Sequence, residues 1–94
     1  MEKKEIIEIL GRRGFYEILK ALNEDKEIII SDLYGIAGAG TVLDRRNEML
    51  KLKLIYSKKV KIGRRRYVVY KLTPKGEKVL SLLEELIKVM KKEE

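Results

Sequence analysis

The chain has 94 residues, 45% of them hydrophobic and 39% charged, with a net charge of +7. That composition supports one domain with a modest core and excludes a disordered chain, and no apolar run approaches the roughly 18 residues of a membrane span. With no Cys and no His, the chain lacks disulfides, thiol redox sensing, the usual zinc ligands and the commonest general base.

In chain order, Ile6, Ile7, Ile9 and Leu10 predict a short first helix from Glu2 to Leu10, broken by Gly11-Arg12-Arg13-Gly14. Phe15, Ile18, Leu19 and Leu22 follow the i, i+3, i+4, i+7 spacing of an amphipathic helix running to about Asn23. A polar connector follows. The β-branched run Ile28-Ile29-Ile30 predicts one short buried strand. Ser31 is a suitable N-cap for a short helix from Asp32 to Ala37. Gly38-Ala39-Gly40 predicts a turn. Thr41 then caps a helix reaching about Lys53, with Asp44 three residues on as in a capping box. Two helices joined by a short Gly-containing turn form a helix-turn-helix pattern.

Leu54 to Ile62 and Arg66 to Leu72 alternate as strands do, with Gly63, Arg64 and Arg65 between them. Thr73-Pro74 starts the last helix, which runs to about Lys91. Its apolar positions exceed the ~100° stripe needed to pack on one domain. The surplus predicts a two-fold homodimer built through Val79, Leu82, Leu83, Leu86, Ile87 and Met90.

Charge is unevenly distributed along these elements. Residues 1–44 hold 6 Lys and Arg against 9 Asp and Glu, a balance of −3. Residues 45–78 hold 13 against 2, a balance of +11, and residues 79–94 hold 3 against 4, or −1. The whole basic surplus lies in one segment, as a localised anion-binding surface requires.

The element order, with "GRRGFYEILKAL", "TVLDRRNEMLKLKLIY" and "YVVYKLTPKGEKVL", resembles the winged helix-turn-helix transcription regulators of the HxlR, PadR and MarR-like families. The third phrase is the most specific, with its Leu-Thr-x-x-Gly lead-in to the C-terminal helix; together the phrases cover roughly residues 9 to 90. The resemblance implies an α+β, mostly α fold. It would have a three-helix core, a short strand plus β-hairpin wing over residues 1–73, and a long dimerisation helix over 74–94.

Two features depart from the families' pattern. Val42, Arg46 and Met49 stand where three apolar residues are usual. Either one core position is basic, or the helix is rotated so that Leu43 and Leu50 face inward. Lys53 occupies a place commonly held by Gly.

The resemblance also implies contacts to double-stranded DNA. Thr41 would offer a phosphate its hydroxyl and backbone N–H, and Arg45 and Arg46 lie one turn in, where a guanidinium reads guanine O6 and N7. Asp44 is either a cap or an acceptor for a cytosine amine. The wing offers Lys58, Lys59, Lys61, Arg64, Arg65 and Arg66 to the backbone or minor groove. Tyr67 would add a phosphate hydrogen bond or pack across the hairpin. Arg12 and Arg13 read as a solvated helix end.

A dimeric regulator is the leading function, a DNA-coating architectural protein the second and a protein-interaction module the third. No enzyme activity, membrane partner or cofactor is expected, and the sequence is silent on a small-molecule effector. The opening Met-Glu-Lys-Lys-Glu lacks a signal peptide's apolar region, so a cytoplasmic protein is expected. The absence of Gln and the presence of only two Asn resemble archaeal and hyperthermophile proteomes.

Overall fold

A computed structural model describes residues 1–24 and 26–92; Asp25 of the polar connector and residues 93–94 lie outside it. The order is α1 (Lys3–Leu10), α2 (Phe15–Leu22), a 3₁₀ turn (Ile30–Leu33), α3 (Tyr34–Ala37) and α4 (Ala39–Lys51). An antiparallel hairpin, β1 (Ile55–Ile62) and β2 (Arg65–Leu72), leads into α5 (Pro74–Lys91).

The core forms where the amphipathic stripes meet. Phe15, Ile18, Leu19 and Leu22 of α2 pack with Val42 and Met49 of α4, and with Leu54, Ile55, Tyr70 and Leu72 at the hairpin base. Leu80 of α5 closes the cluster. Each such side chain contributes roughly 1.5–3 kcal/mol by leaving water.

Four local expectations are corrected. Ile28-Ile29-Ile30 is not a strand: Ile29 makes a single bridge to Val69, and the Ile28 carbonyl accepts from the Tyr70 N–H. The chain then tightens at once into the 3₁₀ turn, before a ladder can extend. Ser31 is not the cap. It lies inside that turn, whose flanking residue is Ile29, and Asp32 reaches back to accept from the Ile29 N–H at 3.1 Å.

Thr41 is not a cap either. Gly38, at φ 83 and ψ 155, makes the whole turn alone, in a conformation that a Cβ would strain. Helix α4 therefore starts at Ala39, and Thr41 falls in its first turn. In the wing, Ile62 pairs with Arg65, so the turn is only Gly63-Arg64, with Gly63 at φ 63. A positive φ at the first of two turn residues suits the twist of a hairpin.

Thr73 caps α5 as the sequence indicates, its hydroxyl accepting from the Gly76 N–H at 3.0 Å. The same hydroxyl donates to the Lys53 carbonyl at 2.6 Å, and Lys75 Nζ donates to the Leu52 carbonyl at 2.8 Å. A side chain at Gly76 would collide with the Leu54 carbonyl oxygen. The end of α4 and the start of α5 are thus one joint, which accounts for the Thr-x-x-Gly spacing.

Candidate nucleic-acid interface

Helix α4 is oriented by Val42 and Met49, both fully buried, so Leu43 and Leu50 stay at the half-buried flanks. Of the two orientations open to the sequence, the one with Val42 and Met49 inward is found, and it sets Arg46, half-buried, at the edge of the core. Its guanidinium lies 6.0 Å from the Tyr70 ring centroid, with Nη1 3.4 Å from the Tyr70 hydroxyl. An arginine can hold such a site because its planar face stacks on an aromatic ring while its stem packs against apolar neighbours.

Arg45 is also tied down. Its side chain is 12% exposed, and Nη1 lies 3.3 Å from Glu48 Oε2, one turn on. That approach is off the hydrogen-bond direction, so both atoms lack a hydrogen-bond partner among the described residues. The other Glu48 oxygen accepts from Arg12 Nη1, which reaches across from the turn between α1 and α2. Arg12 thus anchors α4 rather than standing as a free helix end.

With both arginines turned to the protein, the exposed arc of α4 is Gly40, Asp44, Asn47 and Lys51, at spacings of 4, 3 and 4. Thr41 sits half-buried beside that arc. Asn47 was not among the residues singled out from sequence. The spacing would have exposed it had Val42 and Met49 been fixed as inward.

The wing divides the remaining candidates between two faces. Antiparallel partners share a face, so the register puts Lys59, Lys61 and Arg66 together, with Lys61 directly opposite Arg66. Lys59, Lys61 and Arg66 line one shallow depression. Lys58, Arg65 and Tyr67 belong to the opposite face, and Arg64 is at the tip. Tyr67 lies across from Val60, half-buried. Tyr70, which meets Arg46, stands on the Lys59–Lys61–Arg66 face, so that cationic face continues from the flank of α4.

Along α5, Val79 and Leu83 pack against the core cluster and Ile87 is half-buried. Leu82, Leu86 and Met90 are exposed, as is Val89, which adds to the apolar stripe beyond the six expected seam positions. Ile6 and Ile7 of α1 add further exposed apolar surface. Between α1 and the base of α5 runs an apolar groove of about 240 Å³ lined by Ile6, Ile9, Leu10, Leu54 and Val79. Among the described residues no helix is long and apolar enough to cross a membrane.

No protein-family model and no curated protein match this chain. Several solved structures do. A PadR-like transcription factor from Bacteroides fragilis superposes with a TM-score of 0.71 at 24% identity, covering 90% of this chain and 91% of its own. The reduced form of the transcriptional regulator YodB from B. subtilis gives 0.76 at 18% identity, covering 94% and 89%. A structure described as a "possible HxlR family transcriptional factor" from Thermoplasma volcanium gives 0.72 at 21%, covering 96% and 83%. These similarities, with the hairpin after α4 and the long α5, establish the fold as a winged helix-turn-helix of the kind found in PadR, MarR and HxlR regulators.

Proposed function

We propose that the protein is a non-enzymatic transcriptional regulator that binds duplex DNA as a homodimer. Helix α4 enters the major groove, and the wing over residues 58–67 lies on the backbone or in the minor groove. The observation that carries this reading is the cationic wing face. Lys61 opposes Arg66 directly, beside Lys59, and none of the wing cations has a salt-bridge partner among the described residues. Like charges placed opposite one another destabilise a hairpin. A row of phosphates removes that cost, and binding releases the counterions condensed on the duplex.

The similarity to transcription regulators supports the same reading, as does the exposed apolar face of α5 for self-association. Selection of bound sequences from random duplex tests it. A regulator prefers its selected site over random duplex by well above tenfold at fixed salt, because specific ratios run to about 10³ or more. Binding with a preference under about tenfold leaves the architectural reading instead.

A further inference from the structure

Which atoms of α4 meet the bases is fixed by how its arginines are held. Arg46 Nε donates to Asn47 Oδ1 at 3.1 Å. A guanidinium has no acceptor, so the oxygen of the Asn47 amide must face Arg46 and its NH₂ group faces away. Asn47, exposed on the outer arc, therefore offers donors. Asp44, one turn earlier on that arc, offers only acceptors when ionised. Residues three apart on a helix are neighbours, about 5–6 Å between Cβ atoms.

Resting on the DNA-binding reading above, we propose that Asp44 and Asn47, not Arg45 and Arg46, are the sequence-determining pair, and that together they select a C·G base pair. In the major groove cytosine presents a single N4 donor, and its paired guanine presents O6 and N7 as acceptors. Asp44 accepts from the cytosine amine while Asn47 donates to the guanine. The familiar asparagine–adenine pairing needs the amide oxygen and NH₂ group to face the base together, and here the oxygen is turned toward Arg46. Arg46 is thus a positioning residue: it sets which half of the Asn47 amide the DNA meets.

The test uses the full chain and duplexes obtained by selection from random DNA, with binding measured for wild type, Asp44→Asn, Asn47→Ala and Arg46→Met. The expected wild-type site holds a C·G pair, and methylating its guanine N7 weakens wild-type binding but not that of Asn47→Ala. Asp44→Asn lowers discrimination at that pair by about tenfold while tightening binding to random duplex, since one negative charge leaves the phosphate surface. Arg46→Met releases the Asn47 oxygen and shifts the preference toward adenine, a change that a packing role for Arg46 would not produce. A selected site whose preference survives Asp44→Asn and Asn47→Ala overturns this assignment and leaves the regulator reading standing. Binding without sequence preference overturns the assignment and favours the architectural reading; no binding to any duplex removes the DNA-binding reading itself.

Discussion

Lys53 carries the residue-scale cost of ending α4 without a glycine. At φ 59 it is the only residue other than glycine with positive φ among those described. The left-handed region costs a residue with a Cβ about 1–2 kcal/mol, part of which glycine gives back through its greater freedom in the unfolded chain. Lys53→Gly is expected to stabilise the fold by about 0.5–1 kcal/mol, read as a rise of several degrees in the thermal midpoint. A fall would mean that the lysine side chain contributes packing that outweighs the strain. The sequence marked Lys53 as unusual because the resembling families commonly place Gly there. It did not show how the chain accommodates it, because that depends on the Thr73 hydroxyl and Lys75 ammonium arriving from 20 or more residues later. How Arg45 and Arg46 are held was hidden for a related reason. Their spacing on the helix was legible, but their partners Glu48, Arg12 and Tyr70 are assembled by the tertiary fold.

At the scale of elements, periodicity and capping chemistry carried most of the fold. The α2 stripe, the hairpin alternation and the Thr73-Pro74 start each appear where the pattern put them. Errors fell at short elements, where one residue's conformation decides the outcome. Gly38 alone turns the chain, so α4 begins two residues before Thr41; Asp32 satisfies the Ile29 N–H, so the isoleucine run curls instead of extending. The wing was recognisable from its charge, but which cations share a face required the register. With Arg66 on the α4-side face, Arg65 on the other and Arg64 at the tip, a duplex laid against the wing would meet them unequally. Arg64, Arg65 and Arg66 changed together to Ala should weaken binding to every duplex and flatten the slope of log K against log salt by roughly 0.9 for each arginine that meets a phosphate. An unchanged affinity and slope would remove the wing from the interface.

The whole molecule joins the half that carries α4 and the wing to an apolar-tailed half through one joint. Leu52, Lys53 and Leu54 at the end of α4 are fastened to Thr73, Lys75 and Gly76 at the start of α5. In a two-fold dimer the direction of α5 therefore sets the separation of the two α4 helices, and with it the half-site spacing. The apolar surplus of α5 was legible in its sequence. Its division into a core-facing set and an exposed set was not, because Val79 and Leu83 are claimed by a core built from distant segments. A charge at Leu83 would disturb that core, so the informative variant is Leu86→Glu with Val89→Glu, at positions 55% and 67% exposed. It should sediment as a monomer with the wild-type circular dichroism, whereas a persistent dimer would place the interface elsewhere.

The most direct measurement is the titration of the wild-type chain against a labelled duplex of about 25 base pairs, spanning two half-sites one helical turn apart, at several salt concentrations. Binding is expected to be tight at low salt, with log K falling linearly in log salt and a slope of about 0.9 per phosphate neutralised. Failure to bind at low salt, or an affinity indifferent to salt, would contradict the proposal that the +11 segment meets the DNA backbone.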